Sequence, residues 1–323
     1  MGACAPSATG SLAPTRVAAK AAQVDSTVAA PRPLMAVILR VCAALVLATM
    51  SALVKLAGEA GVHLSEIVFW RQAITLPIVF GWTLIVADLA SLRPNRFSAH
   101  FVRALYGITG MALVYGAVTL LPLAEATTLN FTAPIFAVIL AMVLLKEKIG
   151  RYRWAAVAIG FVGILIVTQP GNSTIDPFGV AIGLGGAFMI ALVSIQIQDL
   201  NRTETAQGIV FWFCVLTLPL LALFLPFFAT AHDQTGWLLL LGVGLTGAAG
   251  QLLLTTSLRF GSAATVIVMD YTALIWATIY GWLWWDRLPG AALWLGAPLI
   301  IAAGTIIVLR ERKLAQRKTV GGT

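Results

Sequence analysis

Two pairs of similar stretches decide how this chain is predicted to fold. Asn130-Phe-Thr-Ala-Pro-Ile-Phe-Ala137 resembles Asp270-Tyr-Thr-Ala-Leu-Ile-Trp-Ala277, and Gly107-Ile-Thr-Gly-Met-Ala112 resembles Gly244-Leu-Thr-Gly-Ala-Ala249. Self-similarity at a fixed spacing indicates an internal repeat. Each pair joins two apolar runs that are five runs apart. Because five is an odd number, the second copy is predicted to cross the bilayer in the opposite direction, which makes an inverted repeat.

The composition around these stretches is typical of a protein whose main solvent is lipid. Of the 323 residues, 59% are hydrophobic and 11% are charged, whereas soluble domains carry roughly 25% charged residues. Ten apolar runs, near the length of about 20 residues that spans a bilayer as a helix, cover 34–57, 66–87, 99–121, 123–145, 153–169, 178–199, 208–230, 236–257, 263–285 and 291–309. The predicted fold is therefore all-α, with ten transmembrane helices in a 5+5 inverted repeat.

Positive charge is distributed unevenly between alternate loops. With a cytoplasmic N-terminus, 18 of the 21 Lys and Arg residues lie on the inner side, only Lys55 and Arg287 lie outside, and Arg71 lies within a run. This bias predicts that both termini are cytoplasmic. It also accounts for the net charge of +8 without a nucleic-acid partner, which would need a basic face on a soluble domain.

Residues 34 to 312 resemble a known family. The run Leu121-Pro-Leu-Ala-Glu-Ala-Thr-Thr-Leu-Asn-Phe-Thr-Ala-Pro134, followed by Leu145-Lys-Glu147, is similar to the first EamA domain of the drug/metabolite transporter superfamily. The run from Asp270-Tyr-Thr272 to Arg312 is similar to the second EamA domain. The resemblance implies a ten-helix carrier of small metabolites in the cytoplasmic (inner) membrane, with helices 4 and 9 beside a central cavity.

The predicted domains are a disordered tail at 1–33, a first repeat at 34–170, a second repeat at 178–310 and a basic tail at 311–323. The first tail lacks the apolar core of a signal peptide, and an organellar transit peptide is the alternative. The three cysteines have no CxxC spacing and the three histidines have no metal-ligand spacing. We therefore expect no disulfide framework, no metal site and no bound cofactor.

Polar side chains inside the runs are the candidates for a binding site. A charge in hydrocarbon costs roughly 2.5 to 3.5 kcal/mol on insertion scales, so it normally faces a cavity or a partner. At about 1.5 Å per residue, Asn130, Gln251 and Asp270 lie about 10 Å into a core about 30 Å thick. They are expected to flank the midplane and to bind substrate. Asp270 is also the candidate for proton coupling, with a structural hydrogen bond to a neighbouring helix as the alternative.

Arg71 is predicted about 8 Å below the outer surface. It could bind an anion bidentately, snorkel to water, or pair with Glu66 or Glu125. Aromatic side chains that could line the cavity, or simply pack, are Trp70, Tyr106, Tyr115 and Tyr271. Acids at run ends, predicted to exchange ion-pair partners during gating or else to form solvated loop pairs, are Glu125, Glu147 and Asp286.

These features predict a secondary transporter that moves a small organic metabolite by alternating access, with the ligand held between the two halves. One rival is an intramembrane lipid-modifying enzyme, which would need a nucleophile and base or metal ligands at one depth. A second rival is a passive channel, and a third is an exporter of drugs or amino acids rather than an importer. The predicted partners are the substrate and the lipid bilayer, with the chain as a monomer or a homodimer.

Overall fold

The computed structural model describes residues 33–86, 89–145, 151–169, 176–200, 203–260 and 268–320. All regular secondary structure in these ranges is helical, as the composition predicts. The α-helices are α1 (Pro33–Glu59), α2 (Leu64–Val86), α3 (Phe97–Leu120), α4 (Leu123–Asn130), α5 (Ala133–Leu145), α6 (Arg151–Thr168), α7 (Pro177–Leu200), α8 (Ala206–Phe228), α9 (Gln234–Phe260), α10 (Thr272–Trp285) and α11 (Ala291–Val320). Leu89–Leu92 and Val268–Tyr271 form short 3-10 helices.

Seven of the described helical segments are long and apolar enough to cross a membrane. They are α1, α2, α3, the pair α4–α5, α7, α8 and α9. Shorter apolar stretches, 154–168 and 291–307, lie in α6 and α11. Of the predicted run 263–285, the structure describes residues 268–285. α10 covers only the last 14 of them, from Thr272. The chain is thus a helical, multi-pass membrane protein, and the count of ten spans stays a prediction.

The run predicted as one helix over 123–145 is divided in two. α4 ends at Asn130, Phe131 and Thr132 form a turn, and α5 begins at Ala133. Pro134 has no N–H to donate to the carbonyl of Asn130, where a continuous helix would form that bond, and it is tolerated in the first turn of α5. In the second copy, the 3-10 helix Val268–Tyr271 precedes α10. The first copy of the repeated motif therefore begins at a break between two α-helices, and the second copy begins in a 3-10 helix that leads into α10.

α1 and α10 run parallel to each other. Their contacts, in order along both elements, are Arg40 to Asp270, Thr49 to Tyr280 and Glu59 to Trp285. The residue numbers of the contacts increase together along both elements. This happens only when the two elements run in the same direction. The N-terminal end of α10 therefore lies beside the N-terminal part of α1.

α1 and α7 run in opposite directions, as their common neighbour α3 shows. α1 is parallel to α3, since their contacts in order are Met50 to Tyr115 and Lys55 to Val118. α3 is antiparallel to α7, since Gly110 lies against Met189 and Gly116 lies against Ile182. These are the first helices after the two predicted repeat boundaries, and an inverted repeat requires them to be antiparallel.

Two further pairs of helices pack antiparallel. α2 meets α8 through Gln72 with Thr217 and Phe80 with Phe211. α6 meets α11 through Gly160 with Ala303 and Gly163 with Gly296. The α6–α11 backbones approach closely, because a Cβ atom on Gly296 would lie 2.7 Å from the carbonyl oxygen of Gly163. Small residues permit such close packing of helices in lipid.

Candidate functional site

Asp270, the acid predicted at depth, forms a bidentate ion pair with Arg40 of α1. Nε and Nη2 of Arg40 each donate to one carboxylate oxygen, both at 2.5 Å. The Arg40 side chain is 7% exposed, whereas that of Asp270 is 38% exposed. Two parallel charge-assisted bonds are a strong geometry for an Arg–carboxylate pair. The pair therefore ties α1 to the turn that begins the second copy of the motif.

The two copies of the repeated motif touch through equivalent aromatic residues. Phe131 follows Asn130 in the first copy, and Tyr271 follows Asp270 in the second. Their ring centroids are 5.0 Å apart with the planes at 83°, the edge-to-face arrangement that aromatic rings favour. Oδ1 of Asn130 is buried and has no hydrogen-bond partner within the described ranges. A buried amide oxygen of this kind is available to a ligand.

Gln251, the third residue predicted near the midplane, lies partly buried on α9. α9 packs along α1, the helix that carries Arg40. Tyr271 directs its hydroxyl group at the backbone of Gly304 on α11, where a Cβ atom would overlap Oη. The structure thus brings Asp270, Tyr271 and the Asn130–Phe131 break into one region between α1, α4, α10 and α11.

Arg71 lies inside the bundle rather than at a wet surface. It is 7% exposed, and its Nη1 donates to Oε1 of Gln72 at 2.7 Å and to Sδ of Met111 at 3.5 Å. Tyr115 is buried nearby on α3 and donates to Sδ of Met50 at 3.5 Å. The burial of Arg71 disagrees with the snorkelling alternative, because the neighbouring helices enclose its guanidinium group.

Glu66, a predicted alternative partner of Arg71, belongs to a different group. Its Oε1 lies 2.6 Å from Nε2 of His232. The ring of His232 packs edge to face on Trp237, which in turn packs edge to face on Trp70 at 5.2 Å. Trp70 is therefore placed with this group at the start of α2, and the Glu66 carboxylate is engaged by a histidine rather than by Arg71.

A polar cavity of about 510 Å³ lies at the C-terminal ends of α1 and α10. Charged and aromatic residues that line it are Lys55, Glu59, Glu125, Trp285, Asp286 and Arg287. Nζ of Lys55 donates to the carbonyls of Val118 and Leu121 at 3.2 and 2.9 Å, which satisfies free acceptors at the C-terminal end of α3. Oε2 of Glu125 is buried with no partner in the described part of the chain. The cavity thus brings two predicted gating acids, Glu125 and Asp286, into one space.

The remaining predicted residues lie elsewhere. Tyr106 is partly buried on α3, and Glu147 lies outside the described residues. Asp286 has a left-handed backbone with φ of 48° and caps the C-terminus of α10, a conformation that Asp tolerates better than most residues. Among the described residues, no group of three or more His, Cys, Asp or Glu side chains could hold a metal ion.

Two buried arginines were not among the predicted site residues. The charge distribution assigns Arg40 and Arg103 to the inner side of the membrane, yet in the structure both are buried, with 5% and 8% exposed. Arg40 is six residues from the start of its apolar run, which gives a depth of about 9 Å. Arg40 therefore lies about as deep in its run as Asp270 does, and its depth made it a candidate in the same way.

Comparison with known proteins supports the predicted resemblance. The sequence profile of the EamA-like transporter family matches residues 34–169 and 177–309. The "Riboflavin transporter" of Vibrio cholerae is 28% identical over 291 residues, which cover 88% of this chain and 97% of that protein. The "Pseudopaline exporter CntI" of Pseudomonas aeruginosa is 29% identical and covers 86% and 96%. A solved crystal structure has the same fold, with a TM-score of 0.59 at 17% identity over 85% of this chain and 98% of that one.

Proposed function

The chain belongs to the EamA-like transporter family, and on this premise we propose that it is a secondary transporter that moves a small organic metabolite by alternating access. The observation that carries this proposal is the contact between Phe131 and Tyr271. Equivalent residues of two repeat copies meet there, Phe131 in the turn between α4 and α5 and Tyr271 in the 3-10 helix before α10. Transporters built from inverted repeats typically bind their substrates near the midplane, between the repeats and at discontinuous helices.

Helix directions support the inverted repeat. The pairs that the repeat makes equivalent, α2 with α8 and α6 with α11, run antiparallel, and so do α1 and α7. The two ranges that match the family profile also support a division into repeats at 34–170 and 178–310. We therefore propose a 5+5 arrangement in which the two halves rock against each other.

The contacts at the two ends of α1 support alternating access. Arg40 and Lys55 are 15 residues apart on one helix, which corresponds to about 22 Å. At the Arg40 end, the ion pair with Asp270 joins α1 to the second repeat. At the Lys55 end, the bundle holds a polar cavity, and the hydrogen bond from Trp285 of α10 to Glu59 of α1 forms part of its wall. We propose that the ion pair closes one side of the protein while the cavity opens on the other.

The charge distribution supports an orientation. Because Lys and Arg residues are concentrated on one side, we propose that both termini are cytoplasmic and that the Lys55 cavity faces outward in the cytoplasmic membrane. The names of relatives include both a transporter of riboflavin and an exporter of pseudopaline. Import of a metabolite and export of a drug or amino acid are the two directions of transport that the proposal includes, and a transport assay decides between them.

Proton coupling through Asp270 is part of this proposal. Protonation of the carboxylate would remove its negative charge and weaken its attraction to Arg40, which would free α1 from the turn Val268–Tyr271. A proton could thereby bias the conformation of the carrier. Transport that is unchanged in Asp270→Asn and insensitive to a pH gradient would remove this mechanism.

The test starts with a thermal-shift screen of the purified protein against metabolites, including riboflavin, because a ligand that binds the folded state raises its melting temperature. A compound that stabilises the protein is then assayed in sealed proteoliposomes preloaded with the unlabelled compound. We expect saturable counterflow of the labelled compound, with a loss of binding in both Asn130→Ala and Asp270→Ala.

The same assay separates the rivals. A passive channel would conduct the compound without saturation and without counterflow. An intramembrane enzyme would form a product without net flux across the sealed bilayer. An exporter is distinguished from an importer by the direction of net flux relative to the orientation of the protein in the vesicle, or by an opposite dependence of that flux on the pH gradient.

A further inference from the structure

We propose that Arg71 and Arg103 together bind a negatively charged oxygen group, a carboxylate or a phosphate, on the transported molecule. This inference rests on the proposed function and adds to it a contact for the charged part of the substrate, among α2, α3 and α8, separate from the region around Asn130 and Asp270. It joins Arg71, a candidate site residue from its place in an apolar run, to Arg103 of α3, which the charge distribution assigns to the inner side. The substrate is accordingly a small organic anion.

Both guanidinium groups are buried and incompletely bonded. Arg71 is 7% exposed and Arg103 is 8% exposed. Nε of Arg71 and both Nε and Nη1 of Arg103 have no hydrogen-bond partner within the described ranges. Buried charged donors are normally paired, because an unpaired charge in a low-dielectric interior is strongly unfavourable. Three guanidinium nitrogens on the two arginines can therefore donate hydrogen bonds to an acceptor that binds between them.

The surrounding helices offer almost no negative charge. α2, α3, α8 and α9 contain a single acidic residue, Glu66, and its Oε1 is engaged by His232. Nη1 of Arg71 contacts Met111 of α3, and Nη1 of Arg103 lies beside Gly107, one turn earlier on the same helix, so the two positive charges lie close enough to repel each other. An oxyanion between them would remove this repulsion and accept charge-assisted hydrogen bonds, which the planar guanidinium fork suits well.

One helix holds both arginines in place. On α8, Thr217 accepts a hydrogen bond from Nε2 of Gln72 at 2.8 Å, and Oε1 of Gln72 accepts from Arg71. One turn away on α8, the ring of Phe213 lies 4.4 Å from the guanidinium carbon of Arg103. Cation–π stacking leaves the edge of a guanidinium group free for an oxyanion. The site is thus organised by packed side chains rather than by mobile surface charges.

Glycines of the repeated motif make room for the two guanidinium groups. A Cβ atom on Gly107 would overlap Nη1 of Arg103, and a Cβ atom on Gly247 would lie 3.1 Å from Nε of Arg71. Both glycines belong to the paired stretches Gly107–Ala112 and Gly244–Ala249. The same duplicated element that packs the helices therefore also accommodates the two guanidinium groups.

The experiment measures the melting temperature of the full-length protein in detergent while sodium chloride is replaced by sodium acetate or inorganic phosphate at constant ionic strength. Acetamide, which has nearly the shape of acetate without its charge, is the matched ligand control. We expect acetate or phosphate to raise the melting temperature by about 3 °C at ten times its Kd, and acetamide to have no effect. The shift should disappear in Arg71→Gln and in Arg103→Gln.

Arg96→Gln is the matched control variant, because it removes a half-exposed arginine just before α3 and should keep the full shift. Gly247→Ala retains both charges but narrows the space beside Arg71, so it should at least halve the shift even where an arginine variant fails to fold. The proposal is overturned by equal effects of acetate and acetamide, by no shift in the wild type, or by a shift that survives in both arginine variants.

These outcomes are separate from those of the transport assay. Counterflow of a neutral compound with no response to acetate or phosphate would overturn the anion site and leave the carrier intact. A shift in melting temperature that is specific for the anion, with no transport of any compound, would support the anion site and overturn the carrier function.

Discussion

Arg40 and Asp270 are 230 positions apart in the chain, and their side chains form a bidentate ion pair that fixes the start of the second motif copy to α1. The two partners are not equally buried, with 7% of the Arg40 side chain exposed against 38% for Asp270. When one partner is removed, the other charge is left unpaired, and the free-energy cost is larger for the more buried charge.

The asymmetry predicts unequal effects of the two single substitutions. Asp270→Asn leaves the more buried Arg40 charge unpaired and should lower the free energy of unfolding by about 3 kcal/mol. Arg40→Gln leaves the less buried of the two charges unpaired and should cost about half as much. The double variant should recover part of the loss, and a double-mutant cycle from denaturation in detergent measures the coupling.

The exposed pair of Arg96 and Asp199, 43% and 44% exposed, is the control for this cycle. Exposed ion pairs contribute roughly 0.2–1 kcal/mol, so its coupling energy should be well below that of Arg40 and Asp270. Equal coupling energies for the two pairs would contradict the role assigned to burial.

A rescue experiment tests the placement of Tyr271. In Gly304→Ala, the new Cβ atom would overlap Oη of Tyr271, and such overpacking typically costs about 1–3 kcal/mol. Tyr271→Phe removes the atom that is overlapped. We therefore expect Gly304→Ala to lower the melting temperature and the double variant to restore most of it. A double variant no more stable than Gly304→Ala would show that the hydroxyl group does not lie there.

Close packing of α6 on α11 predicts a contrast between two glycines. Gly296→Ala would place a Cβ atom 2.5 Å from Cγ2 of Val167 and should destabilise the protein by about 1–3 kcal/mol. Gly81→Ala, at a helical position with nothing within 4 Å, should instead stabilise it by up to about 1 kcal/mol. The melting temperatures of the two variants are compared with that of the wild type under one condition. A similar effect of both substitutions would argue against the close contact between α6 and α11.

The capping role of Lys55 gives a further prediction. Lys55→Met keeps much of the side-chain volume but removes the donor to the carbonyls of Val118 and Leu121. Hydrogen bonds from charged groups contribute about 1.5–3 kcal/mol, so the free energy of unfolding should fall by that order. Lys55→Arg can keep a donor at the end of α3 and should lose less. Equal losses in the two variants would place the contribution in packing rather than in the hydrogen bonds.

Much of the architecture was predictable because it depends on local sequence. Apolar runs of the right length and a duplicated motif predict helices that cross a membrane, and the family resemblance follows from the same stretches. The break after Asn130 was missed, although Pro134 carried the signal, since hydropathy does not respond to a missing N–H group.

The site was less predictable because it depends on which helices become neighbours. Arg103 and Phe213 are far apart in sequence, and nothing in either segment indicates that they stack. Arg71 stands out in the sequence as a charge within an apolar run, yet its neighbours Gln72 and Thr217 could be identified only from the packing of α2 on α8. Pairs such as Glu66 with His232 likewise depend on a tertiary contact between a helix and a loop.

The most direct test of alternating access uses Glu125→Cys, in the polar cavity, in a variant whose native cysteines are replaced. The rate of its labelling by a membrane-impermeant maleimide is measured with and without Asp270→Asn, and Gly290→Cys, in the exposed loop before α11, serves as a control. If the Arg40–Asp270 pair holds the opposite end closed, breaking it should slow the labelling of Glu125→Cys about threefold or more by shifting the population away from the open cavity, while Gly290→Cys is unaffected. An unchanged or faster rate at Glu125→Cys would contradict the coupling between the two ends.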